Sequence, residues 1–247
     1  MIKSILTVLV LIGTCELFSQ SKKVIDFTSE DEVTISADLY MPHPASAPLV
    51  ILFHQANWSR GEYNEIAPEL NTIGYNCLAV DLRSGGAVNN VTNLTKRSAT
   101  KAMKSTQYVD ALADMRAAIK YAKNQLAEGK VIVWGSSYSS ALALKLAGRM
   151  KEIDAVLAFS PAEYFVSQGK PRDFVISDAI HIDKPVFITS AKSEKSSWWG
   201  MYVAIPSENK AHFLPYTAGN HGSKALWSKF SDSKAYWKSV KSFLGSI

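Results

Sequence analysis

Hydrophobic residues in this chain fall either into short unbroken runs or into helical spacings. The run from Leu49 to Phe53 has no polar interruption, which is typical of a strand buried on both faces of a parallel sheet. Apolar residues from Tyr63 to Ile73 then recur at spacings of three and four, between Gly61 and Gly74, and predict a helix. The same pattern continues along the chain and predicts strands at residues 24–27, 33–40, 48–53, 75–81, 131–134, 153–159, 185–189 and 212–216. Further helices are predicted at residues 108–127, at residues 235–244, and between the strand at 131–134 and residue 148.

Strands that alternate with helices of this length predict an α/β fold. We expect a mostly parallel eight-stranded sheet with helices on both faces, opened by an antiparallel hairpin of the first two strands. Right-handed crossovers then bring the carboxyl ends of the parallel strands to one edge, where ligands bind in such folds. Neither a repeat nor a Pro/Gly/Ser-rich linker divides the sequence, so residues 21–247 are expected to form one domain. Residues 160–182, between two strands, fit a small cap.

The N-terminus has the pattern of a secretory signal peptide. Lys3 supplies the positive charge, and an apolar run from Ile5 to Ile12 follows, too short to span a bilayer comfortably. We therefore expect residues 1–20 to be removed and the mature protein to be periplasmic or extracellular, with no transmembrane span. Two alternatives stay open, namely a lipid anchor on Cys15 and an N-terminal strand or helix buried in the fold.

Composition and charge exclude several classes of function. The chain has 247 residues, of which 47% are hydrophobic and 20% charged, as in ordinary globular proteins. Its net charge of +5 comes from lysines spread along the sequence, which does not indicate nucleic-acid binding. Cleavage of the signal peptide would leave Cys77 alone, so a disulfide framework is excluded. No residues are spaced as metal ligands and no Gly-rich phosphate loop follows a strand, so we expect neither a metal nor a cofactor. The oligomeric state stays open.

The segment from Lys130 to Leu142 predicts a nucleophile. It runs from a strand through small residues into a helix, which is the setting of a serine held on a sharp turn, the nucleophile elbow. Gly135 stands two residues before Ser137, and Ser139 stands two residues after it, where glycine is usual. The alternative is a serine-rich helix cap, because serine is a favoured residue there. We predict that Ser137 is the nucleophile because the features below occur in the order that such an enzyme requires.

Two backbone amides are predicted to form an oxyanion hole. The strand from Leu49 to Phe53 ends at His54-Gln55-Ala56-Asn57, and the loop after this strand supplies one donor in such folds. We assign that donor to Ala56, with Gln55 as the alternative. The second donor is the amide that follows the nucleophile, here Tyr138. His54 is expected to be structural, because its position at the strand end would orient the loop.

A carboxylate and an imidazole complete the predicted catalytic set. Glu194 follows the strand at 185–189, where an acid would orient the base; the alternative is a solvated glutamate between two lysines. Asp178 and Asp183 precede that strand and would lie at its wrong end. His221, next to Gly222 in a late loop, is the predicted general base, and the alternative is an exposed turn histidine. The chain order Ser, Glu, His is the order of α/β-hydrolases.

The residues that carry this pattern resemble the α/β-hydrolase superfamily, in particular its dienelactone-hydrolase-like and small carboxylesterase branches. They are His54-Gln55, the segments 59–63 and 81–86, Gly135–Ser139 and Asn220-His221-Gly222. The resemblance implies hydrolysis of an ester or related acyl bond without a cofactor. Three departures are evident: Ser139 replaces the usual glycine, the acid would be glutamate rather than aspartate, and a dienelactone hydrolase proper uses cysteine as its nucleophile.

The predicted function is therefore a serine hydrolase that cleaves a carboxylic ester, or a related acyl bond, of a small molecule through an acyl-enzyme on Ser137. The alternatives are an inactive exported binding protein on a hydrolase fold, a peptidase and a carbohydrate esterase. Four side chains near the predicted catalytic residues are expected to contact the substrate: Gln55, Trp58, Tyr164 and Trp198.

Overall fold

The computed structural model describes residues 22–247. The strands are β1 (Lys23–Thr28), β2 (Thr34–Tyr40), β3 (Leu49–Phe53), β4 (Asn76–Val80), β5 (Ala87–Val88), β6 (Val91–Thr92), β7 (Val131–Ser136), β8 (Ala155–Phe159), β9 (Val186–Thr189) and β10 (Lys210–Phe213). The α-helices are α1 (Ile66–Thr72), α2 (Leu94–Lys101), α3 (Ala111–Tyr121), α4 (Tyr138–Ala147), α5 (Ile176–Ala179), α6 (Lys195–Ala204) and α7 (Ser233–Leu244).

Eight strands form one sheet in the order β1-β2-β4-β3-β7-β8-β9-β10, and β5 and β6 form a separate short ribbon. The pairs β1–β2 and β2–β4 are antiparallel, and every other neighbouring pair in the sheet is parallel. Because β3 and β7 are adjacent and parallel, the loops that follow them lie side by side at the same edge. The predicted eight-stranded, mostly parallel sheet with an N-terminal hairpin is confirmed.

The core lies in two layers, one on each face of the sheet. Fully buried strands alternate their side chains between the layers, so Ile51 and Phe53 pack on one side while Val50 and Leu52 pack on the other. Helices α3, α4 and α6 cover the first layer, and α1 and α7 cover the second. Both faces of the central strands are therefore dry, which explains why their sequences are unbroken apolar runs.

The structure differs from the sequence prediction mainly at element ends. The helix predicted at 61–74 is split into a 3₁₀ turn, Arg60–Tyr63, and α1, while the last strand ends at Phe213 rather than at residue 216. Helix α2 was not predicted because its sequence is largely polar; the Asn93 side chain caps it by accepting a hydrogen bond from the Lys96 amide. Helix α6 was also not predicted, although Trp198, Met201 and Tyr202 recur at spacings of three and four and pack on the first core layer.

The signal-peptide prediction for residues 1–20 lies outside the described residues. Residues 160–182, the predicted cap, contain a 3₁₀ turn at Val166–Gln168 and the short helix α5, and their Phe165 and Val175 side chains are buried in the core. Among residues 22–247, no helix has the length and hydrophobicity needed to cross a membrane.

Candidate active site

Ser137 occupies the sharp turn between β7 and α4. Its backbone has φ 59° and ψ −126°, a strained conformation for a residue with a side chain. The turn is so tight that a Cβ at Gly135 would lie 2.3 Å from the Cα of Ser140, which explains the glycine. The Ser139 hydroxyl donates to the carbonyl of Phe53 and accepts from the Ser136 amide, so serine is accommodated where glycine is usual.

A continuous row of hydrogen bonds joins the three residues predicted to be catalytic. The Ser137 hydroxyl lies 2.7 Å from Nε2 of His221, and Nδ1 of His221 lies 2.6 Å from Oε1 of Glu194. Because an ionised carboxylate only accepts hydrogen bonds, Nδ1 carries the proton and Nε2 presents its lone pair to the serine. The three residues come from loops after β7, β9 and β10, which end at one edge of the sheet. This arrangement can move a proton from the serine oxygen to the imidazole.

Ser160 is an additional member of the row that sequence analysis missed. It follows β8 directly, and its hydroxyl donates to Oε2 of Glu194 at 2.6 Å while accepting from the amide of Gly222 at 2.9 Å. Burial opposes the charge on Glu194, but the hydrogen bonds from His221 and Ser160 lower the pKa of this carboxyl below its usual value. The position of Ser160 at the carboxyl end of a parallel strand was the available signal.

The loop that carries His221 approaches the elbow closely. Gly222 has φ 72°, and a Cβ at this position would lie 2.6 Å from Oγ of Ser136, so only glycine fits. The next residue, Ser223, donates its amide hydrogen to the same Ser136 oxygen at 2.8 Å. The side chain of His221 is about one-third exposed, at 35%, whereas Ser137 is 7% exposed. The imidazole is therefore reachable from solvent, while the hydrogen bond from Ser223 to Ser136 fixes its loop against the elbow.

The loop after β3 is held by His54 and Glu62. Nε2 of the fully buried His54 accepts from the amide of Leu82, so its Nδ1–H donates to the carbonyl of Gln55. Burial lowers the pKa of His54 to about 4, which keeps the ring neutral. The Gln55 amide donates to the Glu62 carboxylate at 2.7 Å and is therefore not available to a substrate. Within residues 22–247, no protein acceptor bonds the amides of Ala56 or Tyr138.

Glu62 lies behind the elbow and is fully buried. One carboxylate oxygen accepts from the Gln55 amide, and the other accepts from the Ser136 hydroxyl at 2.7 Å. Burial raises the pKa of Glu62 to about 7, although both hydrogen bonds oppose the rise. Glu62 belongs to one of the segments that carry the family resemblance, but the sequence alone assigned it no role.

The four residues predicted to contact substrate lie in different settings. Trp58 is half-buried and stacks on Trp227, with ring centroids 5.2 Å apart. The half-buried Tyr164 donates its hydroxyl to the carbonyl of Ser160; burial raises the pKa of Tyr164 to about 12, and an interaction with Ser137 opposes this rise. Gln55 packs its side chain against Gly222.

Trp198 differs from the expectation. It is fully buried in the core, where its indole N–H donates to the Ser190 hydroxyl at 2.8 Å. A side chain without exposed surface does not line an open pocket, so Trp198 is a packing residue of α6 and not a substrate contact. Trp198 follows Glu194 closely in the sequence because both lie at the start of α6, which begins at Lys195.

The part of the chain that the structure describes contains no cluster of three or more His, Cys, Asp or Glu side chains that could hold a metal ion. The reactive groups at this edge of the sheet are instead a hydroxyl, an imidazole and a carboxylate. Such a set is suited to nucleophilic catalysis, with the imidazole as the proton carrier.

Comparisons with solved structures support the fold. An esterase of Pyrococcus furiosus matches with a TM-score of 0.68 and 22% identity, covering 92% of this chain and 91% of its own. A dienelactone hydrolase of Anabaena variabilis matches with a TM-score of 0.70 and 14% identity, covering 92% of this chain and 98% of its own. An α/β hydrolase from a Penicillium species has a TM-score of 0.66 and 13% identity, with coverages of 91% and 98%.

Sequence comparisons place the chain more specifically. A search of curated proteins gave no match. The family model described as serine aminopeptidase, S33, matches residues 44–180, which is more than half of the chain and includes the loop after β3 and the elbow. Together with the eight-stranded fold, this match confirms the expected superfamily. The chain is a hydrolase of the α/β-hydrolase superfamily and belongs to the serine aminopeptidase S33 family.

Proposed function

We propose that this protein is a serine hydrolase that cleaves a carboxylic ester or a related acyl bond through an acyl-enzyme on Ser137. The observation that carries the proposal is the row formed by Ser137, His221 and Glu194, with hydrogen bonds of 2.7 and 2.6 Å. A serine with a strained backbone, held against a neutral imidazole nitrogen, is the arrangement that activates a hydroxyl nucleophile.

The reaction proceeds in two halves. Nε2 of His221 takes the proton from the Ser137 hydroxyl as its oxygen forms a bond to the carbonyl carbon of the substrate. The tetrahedral intermediate then collapses, the bond to the leaving alcohol breaks, and His221 returns the proton to the alcohol oxygen. Water attacks the acyl-enzyme with its proton passing to His221, and the acid product leaves as the proton returns to Ser137. Glu194 stabilises the imidazolium in both halves.

The developing oxyanion is bound by the amides of Ala56 and Tyr138 in this proposal. Both amides lack protein acceptors within residues 22–247, and they flank the nucleophile from the loop after β3 and from the first turn of α4. The engagement of the Gln55 amide by Glu62 favours Ala56 over Gln55. Two fixed donors of this kind contribute several kcal/mol to transition-state stabilisation, because each is worth about 3 kcal/mol or more.

Gln55, Trp58 and Tyr164 are the proposed walls of a site for a small acyl substrate. Peptide bonds are the second candidate, since the description of the family names aminopeptidases. The complete row argues against an inactive binding protein, because such a protein has no need of a serine aligned with both a base and an acid. We also propose that residues 1–20 direct export, which secretion of the full-length chain and N-terminal sequencing of the mature form would test.

Turnover of a small panel tests the proposal. The panel contains p-nitrophenyl acetate, an acetylated sugar and an aminoacyl p-nitroanilide. We expect ester cleavage with a burst of one p-nitrophenol per enzyme, and we expect Ser137→Ala to reduce kcat by about 10⁶-fold. Ser242→Ala, a substitution on the exposed side of α7, should match the wild type. Preferential cleavage of the anilide would favour the peptidase, and wild-type turnover by Ser137→Ala would exclude the proposed nucleophile.

A further inference from the structure

A buried carboxylate connects the loops that carry the three parts of the proposed mechanism. Glu62 accepts from the Gln55 amide in the oxyanion loop and from the hydroxyl of Ser136, the residue before the nucleophile. The Ser136 oxygen in turn accepts from the amide of Ser223, two residues after the proposed base. Each of these contacts is between 2.7 and 2.8 Å.

The partners of Glu62 are all neutral donors. Among residues 22–247, no cation lies within salt-bridge distance of its carboxylate. An unpaired buried carboxylate is costly, and this cost is not needed to hold the turn Arg60–Tyr63, whose own backbone and Ser59 cap close it. We therefore expect the Glu62 carboxylate to serve the loops to which it is hydrogen-bonded.

The hydrogen bonds to Glu62 suit its ionised form. The Ser136 hydroxyl donates to Oε1 of Glu62 while its oxygen accepts from the amide of Ser223. The other oxygen accepts from Gln55, which has only a hydrogen to offer. A protonated Oε1 would instead donate to the Ser136 oxygen, which has a second lone pair, and the hydrogen bond from the Ser136 hydroxyl to the carboxylate would be lost.

We propose that Glu62 and Ser136 form a positioning bridge that keeps the oxyanion loop, the nucleophile and the loop of the base in register during catalysis. The inference rests on the proposed serine mechanism. The bridge does not touch the substrate; it fixes where the Ala56 amide, the Ser137 oxygen and the His221 ring stand relative to one another. Misplacement of reacting groups by about 1 Å can cost on the order of 10²-fold in rate, so the bridge should affect turnover rather than substrate affinity.

The bridge also predicts a pH dependence. The titratable groups around the carboxylate are Tyr63 from its own turn, Tyr138 from α4, and His221 and Lys224 from the segment after β10. Because burial raises the pKa of Glu62 to about 7, the ionised bridge forms as the pH rises through that value. Protonation of Glu62 should therefore contribute one step to the loss of activity at acidic pH.

Kinetics of Glu62→Gln and Ser136→Ala, each compared with Glu69→Gln on the exposed side of α1, test the bridge. For both bridge variants we expect kcat on p-nitrophenyl acetate to fall by about 10- to 100-fold with KM little changed. The acid limb of kcat/KM should lose one protonation step in Glu62→Gln relative to the wild type. The double variant should lose little more than the worse single variant, because the two residues act as one unit.

Thermal unfolding of each variant separates positioning from folding. A Glu62→Gln protein that is folded at the assay temperature and keeps the wild-type kcat and acid limb would overturn the proposed role of the bridge. Additive losses in the double variant, or a loss of activity equal to the loss of folded protein, would do the same. Fluorophosphonate labelling of the wild type distinguishes the two proposals: a wild type that does not label overturns the serine mechanism and the bridge together, whereas one that labels leaves the mechanism standing.

Discussion

Two buried carboxylates near the first half of the sheet have opposite surroundings. Asp81, after β4, accepts from Nη1 and from the amide of Arg60 at 2.6 and 2.8 Å, and the same guanidinium contacts Asp38 at 2.8 Å. Glu62 lies two residues beyond Arg60 in the chain, is equally buried, and is bonded only by an amide and a hydroxyl. The two carboxylates thus share a location but not a partner.

The difference between the paired Asp81 and the unpaired Glu62 suggests one role in stability and one in activity. Although burial disfavours its charge, Asp81 and Asp38 raise the pKa of Arg60 above its usual value. Lys22 also pairs with Asp38 at 2.8 Å, so the cluster balances two carboxylates with two cations and ties β2 and β4 to the turn after β3. Burial still raises the pKa of Asp81 above its usual value, against the opposing effect of Arg60. Glu62 has no such compensation, and its bonds go to loops at the reacting edge. We infer that charges paired with each other hold the architecture here, while the uncompensated carboxylate serves the site.

Glu194 extends the comparison to a carboxylate that contacts the proposed base, His221, and among these carboxylates its substitution should have the largest effect. In Glu194→Gln the carboxamide can donate to Nδ1 of His221, which stabilises the wrong imidazole tautomer, so kcat should fall by about 10⁴-fold. Stopped assays against p-nitrophenyl acetate would measure this, with the exposed Glu208→Gln as the matched control. A kcat within a few-fold of the wild type would show that Glu194 is not the acid.

Arg60→Met should produce the next largest effect, and it should appear in stability rather than in turnover. The substitution leaves Asp38 and Asp81 buried without their shared partner, which costs about 3–5 kcal/mol in the free energy of unfolding. Lys241→Met is the control, because it breaks the exposed pair with Glu69 and should cost less than about 1 kcal/mol. Urea unfolding provides the measurement. Unchanged stability, or a specific loss of kcat in folded Arg60→Met, would break the comparison.

Ser160→Ala should have the smallest effect of the three. It removes the hydroxyl that donates to Glu194 and accepts from Gly222, so kcat should fall by about 10-fold, which corresponds to about 1.4 kcal/mol. Because the lost hydrogen bond favours the ionised acid, the pKa of Glu194 should rise toward its usual value. A kcat equal to that of the wild type would contradict the role assigned to Ser160.

Much of the fold was predictable because its central strands are buried on both faces. The run from Leu49 to Phe53 is typical of a strand in a covered sheet, and the small residues between the strand at 131–134 and the next helix indicated the elbow. The polar helix α2 was not predictable from apolar periodicity, since it is held by the Asn93 cap and by packing against β2. Local sequence patterns thus predicted the strands that are buried on both faces. They failed for a helix whose formation depends on a side-chain cap and on tertiary contacts.

The candidate site was predictable to a similar extent. Ser137, His221 and Glu194 were selected from their places after strands, and the structure brings their side chains together. Ser160 and Glu62 were missed because their roles depend on hydrogen bonds between segments 34 and 74 residues apart. Trp198 was misplaced for the converse reason, because its position in the sequence did not reveal that its ring faces the core.

The central claim is that Ser137 is the nucleophile, activated by His221. The most direct measurement is to treat the wild-type protein with a fluorophosphonate and to locate the adduct by peptide mass spectrometry. We predict a single adduct on the peptide that contains Ser137, formed much more slowly in His221→Ala and not at all in Ser137→Ala. An adduct on another serine, or equal labelling of the Ser137→Ala protein, would contradict the account.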